Sequence, residues 1–391
     1  MLLADYILQL NDKDISKRLA ALRGILHLES TGEKKAPLGS DYVNNHIHTV
    51  YSFSPYSPSA AVYFAREAGL TTAGIMDHDS VGGIREFLQA GEIMSLPVTC
   101  GFECRVSMSS TDLKSKRINN PDQLSNAYVA LHAIPHKSID LCEAFLKPYR
   151  EKRNIRNRKM TDKINDIVSA YGISLNFDSD ILPLSFNHDN GSVTERHILF
   201  ALSLAIISKF GKGIQTVEFI KNILKINLSL TVEGYLNDDK NKFYEYDLLG
   251  ALKSNFVPLF YIEATDECPH VSEFIDFAKK SGAISAYAYL GDVTSSVTGD
   301  KKAQKFEDDY IEELFAILSD LGFNAVTYMP SRNTIDQLKR VMGLCEQHSL
   351  MQISGEDINT PRQSFICKEL LKPEFKHLSD STWKLIEHEN A

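Results

Sequence analysis

Three short motifs lie between Asn45 and Glu103, and they read His46-Ile47-His48, then Asp77-His78-Asp79, then Gly101-Phe102-Glu103. Each motif comes at the end of a short apolar segment, and helical patterns lie between the motifs. Because side chains alternate along a strand, the two histidines of the first motif leave the same face. Imidazole and carboxylate groups together suit borderline divalent ions such as zinc, manganese and iron. The stretch therefore predicts strands that end in metal-binding residues.

The composition is typical of a soluble globular protein. The chain has 391 residues, 43% of them hydrophobic and 24% charged, which is enough for one large core and a smaller insert. No apolar run reaches the ~20 residues of a membrane span. The six cysteines form no Cys-x-x-Cys pair and the first residues do not resemble a secretory signal, so a cytoplasmic location is predicted. The net charge of −9 argues against broad nucleic-acid binding.

Strand and helix patterns alternate along most of the chain. The strand patterns span residues 42–48, 72–76, 97–102, 127–134, 283–288, 325–329 and 351–354. Such alternation favours a parallel sheet or barrel. The domain prediction is a helical extension at 1–40, a barrel in two parts at 41–149 and 266–391, and a mostly helical insert at 150–265. The extension is expected to pack on the outside of the barrel, and a contact within a homo-oligomer is the alternative.

Seven potential ligands lie at or next to the C-terminal ends of these strands. They are His46, His48, Asp77, His78, Glu103, His132 and Asp357. Functional groups gather at this end of the strands in barrels and in doubly wound sheets. A single histidine in such a place is often a structural, hydrogen-bonded residue, whereas seven groups from five strands indicate one site.

With these motifs, the chain resembles the PHP (polymerase and histidinol phosphatase) family, in particular its metal-dependent phosphoesterase branch with a helical insert. The matching pieces are His46-Ile47-His48, Asp77-His78, Gly101-Phe102-Glu103, His132, Arg196-His197-Ile198 and the closing Gly355-Glu356-Asp357-Ile358-Asn359. They lie within residues 42–365, which is nearly the whole chain. The resemblance implies an α/β fold, a distorted (β/α)7 TIM-like barrel with a mostly helical insert domain.

The resemblance also implies two divalent metal ions, zinc, manganese or iron. The first ion would be held by His46, His48, Glu103 and Asp357, and the second by Glu103, His132 and His197. Glu103 would then bridge the two ions, and a metal-bound hydroxide would attack the substrate. Asp77 and His78 are the predicted catalytic residues.

A third metal site of the family is expected to be lost. Members of this branch usually have Ser-Asp-Gly shortly after the first motif and a histidine at the end of the closing motif. This chain has Phe53 and Asn359 at those positions. Only His78 remains of that ligand set, and neither phenylalanine nor a neutral amide holds a dication well.

Substrate contacts are predicted at Arg105, Arg196, Tyr287, Tyr289 and Asn359. Arginine binds phosphate or carboxylate in bidentate fashion, and tyrosine stacks on a base or sugar. The alternatives are ordinary salt bridges for the arginines and packing for the tyrosines. A basic run within residues 141–167 is interpreted as a solvated helix face, with a phosphate-facing surface as the alternative.

Three functions follow from these patterns. The first is a phosphoesterase that hydrolyses a small phosphorylated metabolite or nucleotide. The second is a metal-dependent hydrolase of another bond, C–N or C–O, because the third metal site is lost and tyrosines stand where relatives often have Ala-His-Pro. The third is a metal-binding protein without enzymatic activity. The expected partner is a small molecule rather than a nucleic acid or a membrane.

Overall fold

A computed structural model describes residues 2–293 and 304–390. Within them, one seven-stranded sheet follows chain order, with β1 Val43–Ile47, β2 Thr72–His78, β3 Val98–Ser107, β4 Asn126–His132, β5 Ile284–Ala288, β6 Ala325–Tyr328 and β7 Met351–Ser354. Every strand predicted from the sequence is present. The predicted fold class, a distorted TIM-like barrel, is confirmed.

The distortion of the barrel comes from β4. The strands β1, β2 and β3 run parallel, as do β5, β6 and β7, but β4 is antiparallel to both of its neighbours. Parallel neighbours need a crossover connection, usually a helix. Residues 108–125, which connect β3 to β4, form turns and coil without a helix. The chain therefore returns directly alongside β3, in the antiparallel direction.

The segment after β7 closes the barrel against β1. The His48 N–H donates to the Ile358 carbonyl at 3.0 Å, and the Ile358 N–H donates to the His46 carbonyl at 3.1 Å. Gly355 permits this approach, because a Cβ at that position would lie 2.5 Å from Cβ of His46. Closure thus brings the last predicted ligand motif beside the first.

Helices cover the outside of the sheet and fill the long connection between β4 and β5. The described α-helices are α1 Leu3–Gln9, α2 Ile15–Ser30, α3 Pro58–Glu67, α4 Ile84–Met94, α5 Ile139–Val168, α6 Glu195–Phe210, α7 Ile214–Glu218, α8 Leu230–Asn237, α9 Tyr244–Phe260, α10 Val271–Ser281, α11 Ile311–Leu321, α12 Ile335–Gln347 and α13 Lys376–Glu389. Helix α2 packs against α3 and α4, and its Arg18 forms a buried ion pair with Glu86 at 2.5 Å.

Helices α5 to α9 build a second hydrophobic cluster, separate from the one around the sheet. Its buried members include Ile164, Leu202, Leu248 and Phe256. The predicted boundary at residue 150 falls inside α5, which continues unbroken from Ile139 to Val168. Among the described residues, no single helix is both long and apolar enough to cross a membrane, and the pair Glu195–Phe210 and Ile214–Ile223 reaches that length only as two segments bent by 120°.

Candidate metal centre

Two histidines from the end of β1 and a glutamate from β3 bring their ligand atoms together. The Nε2 atoms of His46 and His48 are 3.2 Å apart. They lie 3.4 and 3.3 Å, respectively, from Oε1 of Glu103. The potential ligand atoms of the three residues all lie within 4.8 Å of one another, and His48 and Glu103 are buried. Three potential ligand atoms from two strands thus lie close enough together for one metal ion to contact all of them.

A hydrogen-bonded chain orients His48. Its Nδ1 lies 3.1 Å from Oγ of Ser52, and that hydroxyl donates to Oδ1 of Asp77 at 2.5 Å. Since the serine proton is directed to the carboxylate, the serine oxygen accepts from Nδ1–H, and Nε2 is the nitrogen of His48 that would give up its proton to bind a metal ion. Asp77 also accepts from the N–H and hydroxyl of Thr49, at 2.7 and 2.6 Å. Asp77, which was predicted to be catalytic, therefore positions Ser52 and, through it, the ring of His48.

Asp357 and Asn359 enter the mouth from the segment that closes the barrel. Oδ1 of Asp357 lies 3.2 Å from Nε2 of His48. The side-chain amide of Asn359 donates to the same oxygen at 2.5 Å. Asp357 thus lies beside His48, and its role as a ligand of the first ion, which the resemblance implies, stays a prediction. Asn359 orients Asp357, and its predicted contact with substrate stays a prediction.

His78 lies against the same carboxylate. Its Nδ1 is 3.0 Å from Oε1 of Glu103, and its ring stacks on His48 with centroids 4.7 Å apart. Tyr128 of β4 flanks His78 with centroids 5.8 Å apart, and sequence reasoning missed it. Strand alternation could have found it, because Tyr128 lies four positions before the predicted ligand His132 and therefore on the same face of β4.

His132 and His197 are buried beside this cluster. Within the described residues, the Nε2 atom of each has no hydrogen-bond partner. Burial, together with the neighbouring His46, lowers the pKa of His132 to about 3. Burial, together with the neighbouring His78, lowers the pKa of His197 to about 3 as well. Both rings are therefore neutral near pH 7, as a metal ligand must be.

The two rings differ in tautomer. The Thr194 N–H donates to Nδ1 of His197 at 3.0 Å, within a capping box at the start of α6. A neutral imidazole that accepts at Nδ1 carries its proton on Nε2, and it cannot bind a metal through that atom. This contact favours hydrogen-bond donation by His197, whereas its predicted role as a metal ligand would need the other tautomer.

In the mouth, the histidines and the carboxylates shift one another's pKa values towards the charged forms. Although burial raises the pKa of Glu103, the nearby His78 and His46 lower it well below its usual range. Burial also opposes ionisation of Asp357, but its hydrogen bond with His48 lowers its pKa. The same carboxylates, acting against burial, raise the pKa of His48 to about 10. Ionised carboxylates and converging imidazole nitrogens are the ligands that a borderline dication takes, so the residues fit such an ion.

Phe53 belongs to the helical cluster. Its ring centroid lies 5.1 Å from His197, 5.4 Å from Phe200 and 6.0 Å from Tyr246. At the position where the resemblance placed an aspartate ligand, the side chain thus packs against α6 and α9. The loss of the third metal site stays a prediction.

The arginines next to the mouth form a buried ionic network. Nη2 of Arg105 donates to Glu267 at 2.7 Å, and Nε of Arg156 donates to the other oxygen of Glu267 at 2.6 Å. Arg156 also pairs with Glu195 at 2.6 Å, and Arg153 pairs with Asp79. Arg105 is therefore salt-bridged, which is the alternative considered for it.

The placement of the basic run on α5 corrects one interpretation. Arg150, Arg153 and Arg156 are 5%, 4% and 6% exposed, so the interpretation of the run as a solvated face is wrong for these three. They lie on the side of α5 that covers the barrel, whereas Arg158 and Lys159 are exposed. Arg196 is half-buried in the first turn of α6, and its predicted contact with substrate stays a prediction.

Tyr287 and Tyr289 face away from the inside of the barrel. Tyr287 pairs with Val129 of β4, whereas Ala286 pairs with Ala130 on the face that Glu103 shares. Both tyrosines are buried, and their hydroxyls donate to Glu307 at 3.1 Å and Asp308 at 2.6 Å. This placement favours packing, the alternative to the predicted substrate contact, because a shift of one residue along a strand changes the face.

A cavity of about 220 Å³ opens beside His197. Its lining includes Phe53, Phe186, Phe200 and Tyr246. A larger cleft of about 370 Å³, lined by residues of α12, β7 and α13, contains none of the predicted ligands. Of these two cavities, the smaller one therefore adjoins the metal centre and the larger one does not.

No protein-family model matches the chain, and no curated protein does. Two solved structures have a similar fold. One is a protein described as a metal-dependent phosphoesterase from Bifidobacterium adolescentis, with 17% identity, a TM-score of 0.56, and coverage of 91% of this chain and 99% of the other. The second is an amidohydrolase from Chromobacterium violaceum with bound sulfate and no metal, with 16% identity, a TM-score of 0.53, and coverage of 87% and 96%. At these identities the likeness establishes the fold, which this chain shares with both proteins over nearly its whole length.

Proposed function

We propose that the protein is a metal-dependent hydrolase and, more specifically, a phosphoesterase that acts on a small phosphorylated metabolite or nucleotide. The observation that carries the proposal is the convergence of His46, His48 and Glu103 in the barrel mouth, with Asp357 3.2 Å from His48. A cluster of ionised carboxylates and imidazole lone pairs facing one point is a good cation site. The fold shared with a protein described as a metal-dependent phosphoesterase supports the same conclusion.

In this proposal, His46, His48, Glu103 and Asp357 hold one ion, and Glu103 with His132 contributes to a second. Dications bound there would acidify water and neutralise charge on the phosphoryl oxygens. Neighbouring side chains of the protein position the ligands. Asp77 and Ser52 fix the tautomer of His48, and Asn359 orients Asp357.

Two further side chains can act on the substrate directly. His197, with its proton on Nε2, can donate a hydrogen bond to an anionic oxygen, which is a role that a buried neutral imidazole performs well. His78 has Nδ1 directed to Glu103, which leaves its Nε2 able to accept or donate a proton. We therefore assign His197 to anion binding and His78 to proton transfer.

The second candidate is hydrolysis of a C–N or C–O bond. One observation favours it: beside His197 the cavity is lined by aromatic and aliphatic side chains together with the neutral Asn11, Ser54 and Ser57, and no arginine or lysine is present in this lining among the described residues. A phosphate would have to be held there by metals and hydrogen bonds alone. The fold shared with an amidohydrolase is compatible with this alternative.

The deciding experiment compares substrates and one pair of variants. The apoprotein is loaded with manganese, zinc or iron(II) and assayed with a panel of phosphate esters, and separately with amide and glycoside substrates. We expect release of inorganic phosphate from at least one ester, abolished by Glu103→Gln. The matched control is Glu92→Gln, a change at an exposed glutamate of α4 that should have no effect. Phosphate release that survives Glu103→Gln, or turnover of amides or glycosides alone, would refute the phosphoesterase proposal.

A further inference from the structure

A second group of potential metal ligands lies outside the barrel mouth. It consists of Cys100 near the start of β3, His136 in the turn after β4, and Glu389 in the last turn of α13. We propose that these three side chains form a structural zinc site that fastens α13 to the barrel. The proposal is independent of the proposed hydrolase activity.

The three ligand atoms are close enough for a single ion to join them. The Sγ, imidazole nitrogen and carboxylate oxygen all lie within 4.8 Å of one another. Nε2 of His136 is 3.7 Å from Oε2 of Glu389. Tetrahedral zinc with bonds of about 2.0–2.3 Å separates its ligands by about 3.3–3.6 Å. The cluster thus needs only a small contraction to bind zinc.

One carboxylate oxygen of Glu389 accepts hydrogen bonds, and the other has no hydrogen-bond partner in the part of the chain that the structure describes. Oε1 accepts from the Cys100 N–H at 2.8 Å and from the Thr99 hydroxyl. Oε2 is buried, has no hydrogen-bond partner within the described residues, and faces His136 at a distance too long for a hydrogen bond. A buried carboxylate oxygen without a partner is costly. A cation between this oxygen, the imidazole and the Cys100 thiolate would remove that cost, and the thiol proton, now directed to the Ile134 carbonyl at 3.4 Å, would be released to solvent.

The site is distinct from the mouth. Cys100 and Glu103 are three positions apart on β3, and odd separations point to opposite faces of a strand. Glu103 therefore faces the inside of the barrel, while Cys100 lies in the outer hydrophobic cluster with Phe102. Neither His136 nor Glu389 contacts a ligand predicted for the mouth.

The donor set selects the kind of ion. A thiolate and an imidazole are poor ligands for calcium or magnesium, and they suit zinc. His136 is 43% exposed, so the ion could enter from solvent and keep a water as its fourth ligand. A metal ion at this site would hold the C-terminal end of α13 against β3. Helix α13 also supports the mouth, since Thr382 accepts a hydrogen bond at 2.7 Å from Asn45, next to the first motif.

Cobalt(II) tests the proposal, because a thiolate bound to cobalt gives a charge-transfer absorption in the near ultraviolet that imidazole and carboxylate ligands do not give. The full-length apoprotein is titrated with cobalt(II). The wild type should show the band, and so should His46→Gln, which is altered in the mouth. His136→Gln, changed at a half-exposed position that is expected to fold, should weaken cobalt binding at this site by at least roughly tenfold. Cys100→Ser should lack the band.

The matched control is Cys142→Ser, because Cys142 is buried close to Cys100. This variant should keep the band. Absence of the band in the wild type at saturating cobalt would overturn the proposal. So would a band that persists with unchanged affinity in His136→Gln, or one that disappears in Cys142→Ser and not in Cys100→Ser. As a second readout, zinc should raise the thermal midpoint of His46→Gln by more than that of His46→Gln with His136→Gln, and an equal rise in both would overturn the proposal.

Discussion

Replacing Ser52 by alanine tests the hydrogen-bonded chain behind the metal centre. The Ser52 hydroxyl is buried, lies 3.1 Å from Nδ1 of His48 and donates to Asp77 at 2.5 Å. The variant removes the group that fixes the tautomer of His48, while the ring itself stays in place. Asp77 keeps two hydrogen bonds from Thr49, so the carboxylate is not left without partners.

The expected effect is larger on metal binding than on folding. Loss of a partner that orients a metal-binding histidine costs about 10- to 100-fold in metal affinity, or about 1.4–2.8 kcal/mol. Loss of two buried hydrogen bonds lowers the free energy of unfolding by about 1–3 kcal/mol. Ser52→Ala should therefore fold at room temperature and bind manganese or zinc more weakly than the wild type.

The assay is calorimetric titration of the apoprotein with manganese and with zinc. The matched control is Ser54→Ala in the same loop, where the hydroxyl is also buried but accepts only a long hydrogen bond of 3.4 Å from the Tyr56 N–H. If the two variants bind metal equally well, the chain from Asp77 through Ser52 does not orient His48, and the reasoning fails.

Two further predictions concern buried carboxyl groups. Glu267→Gln leaves Arg105 and its neighbouring arginines without their shared carboxylate, and chemical denaturation should show a loss of about 3–5 kcal/mol; Glu312→Gln, which breaks an exposed pair, should cost less than about 1 kcal/mol. Burial raises the pKa of Glu307 from 4.5 to about 7, so between these values the unfolded chain loses its proton first and stability falls as pH rises. At about 1.4 kcal/mol per pH unit the loss is about 3 kcal/mol, complete above about pH 7. Unfolding measured at about pH 5 and about pH 8 should show this loss in the wild type but not in Glu307→Gln, and an equal pH dependence in both would contradict the assignment.

The sequence by itself determined the strands, and it indicated that potential ligands meet at one end of them. Apolar segments followed by His46, His48, Glu103 and Asp357 indicate this, because strand alternation and the location of functional groups at C-terminal strand ends are local or general rules. Their assignment to one ion came from the family resemblance and stays a prediction. The start of α3 was equally predictable, since Ser57 caps it and Pro58 occupies its first position.

Only the tertiary structure decided which face of each strand points into the barrel and which charged side chains form ion pairs. A strand pattern does not say which of its two faces meets the core when both are buried, so the outward placement of Tyr287 and Tyr289 could not be predicted. The burial of Arg153 and Arg156 depends on carboxylates distant in sequence, such as Glu267. A helical charge pattern alone cannot reveal such partners.

The clearest contrast is between the two metal-ligand groups. The predicted ligands of the mouth lie mostly within or just after recognisable strands, so these residues could be identified one by one. Cys100, His136 and Glu389 carry no motif, and they meet only because β4 turns back beside β3 and α13 returns to the same end of the barrel. Contacts between segments far apart in the chain depend on how the whole barrel closes, and spacing within the sequence carries no information on that.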